Sequence, residues 1–417
     1  MNHNKHTILL ATIDQPNHTT MNTEPNRIPH PRWLLFALAV GGFAIGTTEF
    51  ATMSVLPYIA SGLNISEPVA GHLISIYALG VVIGAPVIAI FGARFSRRSL
   101  LLVLMAFFSL THLGTMLAPD YRSMMLFRFL SGLPHGAYFG VGALVAAAMV
   151  PPDKRTQAVG LMMIGLTIAT TIGVPLSSWL AQAVGWRVVF LIVAILAALT
   201  VILVALFLPA NCMQGGGSNA LRELSALTNR QIWLTLAIGA IGFGGMFGIY
   251  AYMASTLEDI TGMSPKNVPL VMCLYGVGMT LGNIIVPRLA GRHVMGGLAC
   301  LLAWSAAMLA LYPFAVHHPY WICIQVVLIG MSGAVGTLLQ IRLMDVAKEA
   351  QTLAAALNHS AFNAANALGP YLGGLTIAAG WGWTSTAWVG VALAIIGLIV
   401  WWFTVKDEQR TAAANLQ

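Results

Sequence analysis

Residues Ile76–Arg94 read IYALGVVIGAPVIAIFGAR, and residues Leu274–Arg292 read LYGVGMTLGNIIVPRLAGR. Both stretches carry tyrosine, glycine and arginine at corresponding places. One constant offset relates the pairs Tyr77/Tyr275, Gly80/Gly278, Gly84/Gly282 and Arg94/Arg292, and also Gly46/Gly244 upstream. A few matches between glycine-rich helices can arise by chance, but one offset kept over half a chain favours an internal duplication. The sequence therefore predicts two similar halves.

Long apolar runs make up most of the chain. Of its 417 residues, 58% are hydrophobic and only 8% are charged, which is not the composition of a domain with a water-facing surface. The runs are too long for barrel strands and do not alternate apolar with polar residues, so only helices can satisfy their backbone groups in lipid. We therefore predict an all-α polytopic membrane protein with about twelve transmembrane helices in two pseudo-symmetric six-helix bundles. The predicted spans cover residues 33–57, 69–91, 99–117, 123–148, 157–182, 187–208, 231–257, 267–288, 294–314, 320–345, 351–378 and 383–404.

A break in hydrophobicity divides these spans into two equal sets. Residues 211–230 contain the flexible stretch QGGGSN and are predicted to form a cytoplasmic linker. The linker separates an N-terminal bundle at 33–210 from a C-terminal bundle at 231–404. Residues 1–32, rich in His, Asn, Thr and Pro, are predicted to be a disordered cytoplasmic tail, and residues 405–417 a second cytoplasmic tail.

The net charge of +7 raises the question of nucleic-acid binding. The basic residues are scattered over short loops and do not form one basic face, so we exclude that class of partner. About fifteen of them lie on the side of the membrane where the chain begins, and about three, Arg122, Arg187 and Lys266, lie on the other side. This bias predicts a multi-pass protein of a bacterial inner membrane with both termini in the cytoplasm.

The stretch GTTEFATMSVLP, Gly46 to Pro57, contains one acidic residue, Glu49, well inside the first predicted span. An ionisable group at such a depth costs about 2.5–3.5 kcal/mol on insertion scales. One interpretation is a proton carrier, because low-dielectric surroundings allow a carboxyl group to bind a proton on one side and release it on the other. The alternative is a structural charge that is permanently paired.

Two further polar residues lie in the fourth predicted span. Arg128 is a few residues from its outer end and could share a depth with Glu49, or it could extend to the outer headgroups instead. His135 is near the bilayer centre, where it could titrate or donate a hydrogen bond to a polyol. A neutral His135 bonded to a backbone carbonyl, in a helix loosened by Pro134, is equally compatible with the sequence.

Several stretches together resemble a known transporter family. They are GTTEF in the first span, Gly71–Pro86 in the second, Arg128–Ala143 in the fourth, Gly173–Phe190 after the fifth begins, and Ala361–Gly374 in the eleventh. The chain after residue 32 is similar to the major facilitator superfamily, within its drug:proton antiporter group that includes arabinose and sugar efflux permeases. The resemblance implies two six-helix bundles that open alternately to the two sides of the membrane around a midplane site.

The resemblance also implies roles for individual residues. Arg128 matches the arginine of the family's RxxxG motif, which is implicated in proton transfer. Tyr252 matches an aromatic residue usual in the seventh span and could line the substrate cavity, although an aromatic packed between helices is the alternative. The loop GARFSRR corresponds to the gating motif between spans two and three; Arg94, Arg97 and Arg98 are kept, but alanine stands at the acidic position. Simple positive-inside topology explains these arginines equally well.

Glycines and prolines in the fifth and eleventh spans complete the set. GPYLGG fits the antiporter motif, which in relatives is associated with efflux, whereas its counterpart GVPLSS in the fifth span departs from it. These residues would form sliding or rocking contacts, or ordinary tight helix packing. The residues concerned are Gly173, Pro175, Gly369, Pro370, Gly373 and Gly374.

Together these observations favour a proton-coupled secondary transporter that exports a small solute, such as an arabinose-like sugar or a drug. Glu49 and Arg128 would couple to protons, and His135 and Tyr252 are candidates for the substrate cavity. The expected partners are a small-molecule substrate, protons and the lipid bilayer. We expect no cofactor or metal, because the proton gradient would supply the energy, and we expect the protein to be a monomer. An uncoupled facilitator of the same fold is the first alternative and a membrane receptor or sensor the second. We do not expect an enzyme, because no convergent catalytic set stands out.

Overall fold

The computed structural model describes residues 31–92, 94–151, 154–209, 225–291, 293–347 and 351–414. Most of the predicted N-terminal tail, most of the predicted linker, Ala93, Arg292 and the last residues of the C-terminal tail lie outside the described residues.

The described residues are nearly all helical. Short non-α turns occur at Ala169–Gly173 (a π-helical turn), and at Ser225–Thr228 and Met331–Gly333 (3₁₀ turns). The helices of the first half are Pro31–Ser54, Leu56–Leu63, Glu67–Gly92, Arg97–Leu117, Tyr121–Ala148, Arg155–Ile168, Val174–Val184 and Arg187–Phe207. The helices of the second half are Arg230–Gly242, Gly244–Ala251, Met253–Asp259, Val268–Ala290, Val294–Ala315, Pro319–Gly330, Ala334–Ala347, Gln351–Ala378 and Ser385–Ala414.

Eleven helical stretches in the described part are long and apolar enough to cross a membrane. They correspond to all the predicted spans except the eleventh, Gln351–Ala378, which has 28 residues and the length to cross. The eleventh span is less apolar because it carries Asn358, His359, Asn363 and Asn366. The prediction of an all-α membrane protein is thereby confirmed. The last helix continues to Ala414, through most of the segment predicted as a tail.

Two of the predicted spans are interrupted. The first ends at Ser54, and a short helix follows with Pro57 in its first turn, where the missing N–H costs no hydrogen bond. The seventh breaks at Phe243 and again at Tyr252.

The internal repeat is also present in the packing. A methyl group on Gly80 would lie 2.3 Å from the carbonyl oxygen of Phe129, and one on Gly278 would lie 2.2 Å from that of Val327. The offset that relates the two glycines also relates Phe129 to Val327. Equivalent close approaches join Gly84 to Leu133 and Gly282 to Met331, and Gly132 to Tyr77 and Gly330 to Tyr275. The second span therefore packs on the fourth as the eighth packs on the tenth.

The buried apolar side chains show how the halves meet. We call the side where the first span begins the terminal side and the opposite side the far side. One large cluster joins both halves toward the far side, where Phe50 and Ile59 of the first half belong to it with Phe247 of the second, and within the second half it continues to residues such as Leu298 near the terminal side. Toward the terminal side each half has its own cluster, around Leu38 in the first and around residues such as Ile232 in the second, where Ala89 of the first half also packs.

Carbonyl groups left free by prolines bind the halves to each other. Pro86 has no N–H to donate to the carbonyl of Val82, and Ser360 Oγ of the eleventh span donates to that oxygen at 3.4 Å. Pro175 likewise cannot serve the carbonyl of Thr171, and Cys273 Sγ of the eighth span donates to it at 3.1 Å. The second span thus pairs with the eleventh, and the fifth with the eighth, across the interface.

Candidate functional site

Glu49 lies at the interface between the two halves. Its side chain is buried, five residues before the first span ends at Ser54. Asn366 Nδ2 of the eleventh span donates a hydrogen bond to Glu49 Oε1 at 3.2 Å, and His135 Nε2 of the fourth span is 3.9 Å from Oε2. The ionisable carboxyl group of Glu49 therefore connects the first half to Asn366 of the second half.

The eleventh span presents a polar stripe to this carboxyl group. His359, Asn363 and Asn366 are spaced four and three residues apart, so they lie on one face of the helix. Asn363 and Asn366 are buried, and the Oδ1 atom of each has no hydrogen-bond partner in the described part of the chain. His359 stacks on Phe139 of the fourth span, with ring centres 5.2 Å apart.

His135 links Glu49 to a second aromatic residue. Its Nδ1 atom is 2.9 Å from the hydroxyl of Tyr77, and its ring centre is 6.4 Å from that of His359. Tyr77 thus takes the place of the backbone carbonyl that the sequence offered as a partner for His135, and Glu49 lies within ion-pair distance, but beyond hydrogen-bond distance, of the other ring nitrogen.

Arg128 points inward, and its side chain is fully buried. Nη1 donates to Thr48 Oγ1 at 3.0 Å, and Nε donates to the carbonyl of Leu73 at 3.3 Å. The guanidinium carbon also lies 4.2 Å from the centre of the Tyr77 ring, a favourable cation–π contact. Arg128 thus lies near Glu49, because it donates to Thr48, which directly precedes Glu49 in the sequence.

A buried histidine in the third span continues this chain of hydrogen bonds. His112 Nδ1 is 2.8 Å from the carbonyl oxygen of Phe108, which can only accept, so Nδ1 carries a proton. His112 Nε2 is 2.9 Å from Thr48 Oγ1. With a neutral ring, Thr48 donates its single O–H to Nε2 and accepts from Arg128, so the Thr48 hydroxyl and both ring nitrogens of His112 have partners.

We call Glu49, Thr48, Tyr77, His112, Arg128, His135 and Asn366 the central cluster. It brings one carboxyl group, two imidazoles and one guanidinium together in the buried interior, where ionisable groups are costly and rare. Among the described residues, no group of three or more His, Cys, Asp and Glu side chains is placed to hold a metal ion.

The structure therefore brings together three of the residues singled out in the sequence: Glu49, Arg128 and His135. Asn366 was not among the predicted site residues, although it belongs to the stretch Ala361–Gly374 that carries part of the family resemblance. The spacing of His359, Asn363 and Asn366 on one helix face was the signal that could have identified it.

Tyr252 lies apart from the central cluster, between the second and eleventh spans. It is buried, and its hydroxyl donates to the carbonyl of Pro370 at 2.9 Å. A methyl group on Gly71 or on Gly374 would lie 2.3 Å or 2.5 Å from that hydroxyl oxygen. The two glycines make room for the tyrosine, so Tyr252 packs between helices in this conformation.

The three arginines of the loop after the second span lie on the terminal side. Arg97 begins the third span, and Arg98 Nη2 donates to the carbonyl of Ala205 near the end of the sixth span at 2.9 Å. Arg94 lies over the ring of Phe95. None of these contacts reaches the central cluster.

The glycines of the predicted antiporter motif lie at close helix contacts. A methyl group on Gly369 would be 2.0 Å from the carbonyl oxygen of Gly244 in the seventh span. One on Gly173, within the π-helical turn before Pro175, would be 2.6 Å from Thr47 Oγ1 of the first span. Gly373 borders Thr386 of the twelfth span.

Two pseudo-symmetric helical bundles with a buried polar site between them define the chain as a multi-pass membrane protein of the carrier type. Residues 38–337, and again 256–416, match the sequence profile of the Major Facilitator Superfamily. The chain belongs to this family of transporters, and the resemblance inferred from its motifs is confirmed.

Individual relatives of the chain are also named as transporters. The chain is 39% identical to the inner membrane transport protein YdhP of Escherichia coli (strain K12), over 90% of this chain and 97% of that protein. It is 27% identical to a "probable sugar efflux transporter" of Haemophilus influenzae, over 88% and 93% of the two chains. Its fold is similar to a bacterial homologue of the human lysosomal transporter Spinster in an inward-facing, unoccupied conformation, with a TM-score of 0.66 and 17% identity over 91% and 97% of the two chains.

Proposed function

We propose that this protein exports a small solute in exchange for protons, by alternating access, and that Glu49 carries the proton. The observation on which the proposal depends is the hydrogen bond from Asn366 to Glu49, which joins a buried carboxyl group of one half to the other half. A proton on Glu49 changes this bond from a charge-assisted one to a neutral one, which is about half as strong. Protonation is thereby linked to the contact between the halves.

Arg128 places a positive charge near the carboxyl group of Glu49. It lies one residue away through Thr48, and its own Nη2 atom has no hydrogen-bond partner in the described part of the chain. When Glu49 is protonated, the guanidinium loses a nearby counter-charge, and the low-dielectric surroundings make that loss costly. Substrate binding and protonation would compete for these two groups.

The shared far-side core supports a direction for the present conformation. If the basic terminal side faces the cytoplasm of a bacterial inner membrane, as the charge bias predicts, the halves are joined on the outside and have largely separate cores on the inside. The molecule would then face the cytoplasm and be ready to load cargo for export. Export as the direction is supported by the GPYLGG motif and by the efflux function in the name of one relative.

The substrate is proposed by class. A sugar such as an arabinose-like pentose fits the relative named for sugar efflux, and Asn363 Oδ1 and Asn366 Oδ1 are acceptors that hydroxyl groups of a polyol could use. An amphipathic drug is the second class to be tested.

The test is a substrate panel on the purified protein in liposomes that contain a pH-sensitive dye. Sugars and amphipathic drugs are added one at a time, with the wild type beside Glu49→Gln. We expect one class to drive a proton flux in the wild type and none in the variant. Solute exchange without any proton movement in the wild type would contradict the proposal and would support an uncoupled facilitator.

A further inference from the structure

A groove on the terminal side lies outside the central cluster and has a different chemistry. It runs between the start of the seventh span and the end of the twelfth, and its walls include Arg230, Trp402, Phe403, Lys406, Asp407 and Arg410. The groove lies wholly within the second half, so the proposed transport mechanism does not use it.

The groove carries an excess of positive charge. Its one acid, Asp407, is already engaged, because Oδ1 is 3.2 Å from Arg230 Nη1 and Oδ2 accepts from Gln231 Nε2 at 2.8 Å. Lys406 Nζ lies 4.5 Å from the centre of the Trp402 ring, and Arg410 has no ion-pair partner within 4.0 Å among the residues described. Two cations therefore remain to bind an anion.

The apolar part of the groove faces lipid. Trp402 and Phe403 are 47% and 56% exposed, one turn before Lys406 on the same helix. Aromatic residues beside basic ones at the end of a span mark the level where headgroups meet acyl chains. A molecule that fills this groove must have an anionic group on the water side and hydrocarbon on the membrane side.

We propose that this groove binds an acidic glycerophospholipid, such as phosphatidylglycerol, in the leaflet of the terminal side. The phosphate would lie between Lys406 and Arg410, and an acyl chain would lie along Trp402 and Phe403. Basic pockets between helices on the cytoplasmic side are the usual form of such sites.

The experiment measures lipid binding to the purified full-length chain in detergent by native mass spectrometry. Phosphatidylglycerol and phosphatidylcholine are titrated separately, and inorganic phosphate in excess serves as a competitor. We expect one site that prefers phosphatidylglycerol. The double variant Lys406→Gln/Arg410→Gln should lose about thirtyfold in affinity for that lipid, because each basic residue near an anionic headgroup strengthens binding roughly five- to sixfold and the two factors multiply.

A matched control separates this site from general charge attraction. Lys154 and Arg155 are exposed, lie on the same side of the membrane and are outside the groove. The double variant Lys154→Gln/Arg155→Gln removes the same charge and should keep the wild-type affinity. Equal loss in both double variants, equal binding of the two lipids, or displacement of the lipid by inorganic phosphate would each overturn the proposal. The four side chains are exposed, so both double variants should fold.

Discussion

Asn366 and Glu49 connect the two halves at the site where we propose that a proton binds. The amide nitrogen of Asn366 donates to the carboxyl group, and its own oxygen has no partner in the described part of the chain. A carboxamide in this position can serve both forms of the acid, because it can donate to a carboxylate and accept from a protonated carboxyl group.

Replacing Asn366 by leucine should therefore uncouple the pair. A hydrogen bond to a charged group is worth about 1.5–3 kcal/mol, so we expect gradient-driven transport to fall about tenfold to a hundredfold. The measurement is solute flux into liposomes with an imposed pH gradient. Asn358→Leu is the control on the same helix, because Asn358 donates to Gln340 within its own half; equal losses in both variants would contradict a special role for Asn366.

Thr48 connects Arg128 to His112 by hydrogen bonds. In the described part of the chain, its hydroxyl is the one atom that hydrogen-bonds both Arg128 and His112, and Thr48→Val removes it at nearly constant volume. Two buried polar groups would lose a partner at about 1–3 kcal/mol each, so we expect transport to fall at least tenfold and Thr48→Ser to restore most of it. Thr52→Val is the matched control, because Thr52 donates to the backbone carbonyl of Thr48 in its own helix and makes no hydrogen bond with the Thr48 hydroxyl, Arg128 or His112 among the described residues. Unchanged transport in Thr48→Val would show that the Arg128–His112 link has no role.

At the residue scale the sequence predicted one side of the site. Glu49, Arg128 and His135 were recognisable because a polar residue inside an apolar run is rare and costly. Asn366 and Thr48 were not, since uncharged side chains carry a smaller cost. His112 also lies inside an apolar run, but the sequence does not show that it meets Thr48 of the first span. Only the packing of the first span against the third and eleventh brings them together.

At the scale of helices, close contacts between backbones hold the spans in place. Gly369 of the eleventh span meets the carbonyl oxygen of Gly244 in the seventh, and no side chain fits between them. The glycine pattern predicted such contacts, but it did not predict which helices meet. The breaks at Phe243 and Tyr252 were also missed, because the seventh span remains apolar through both of them.

Gly369→Ala should force these two spans apart. The added methyl group would lie 2.0 Å from a carbonyl oxygen, and overpacking of this kind costs typically about 1–3 kcal/mol. We expect a lower unfolding temperature in detergent. Gly140→Ala is the control, because no atom lies within 4 Å of the methyl position there, and it should unfold at or above the wild-type temperature. A Gly369→Ala protein as stable as the control would show that the contact can relax.

At the scale of the whole molecule, the internal repeat explains why the two halves share one pattern of helix packing. The same close helix contacts recur in both halves. The interface between the halves combines a shared apolar core on the far side with hydrogen bonds to carbonyl groups that prolines leave without a backbone partner. The constant offset predicted the two halves, whereas the side on which they are joined depends on tertiary packing that a single sequence does not record.

Glu49 is proposed to couple the movement of the two halves to the binding and release of a proton. The most direct measurement compares two modes of transport in liposomes for the wild type and Glu49→Gln, with the substrate identified from the panel. Exchange of labelled for unlabelled solute at equal pH needs only alternating access, whereas accumulation against a gradient needs proton coupling. We predict that Glu49→Gln keeps exchange and loses accumulation driven by the pH gradient; undiminished accumulation in the variant would contradict the account.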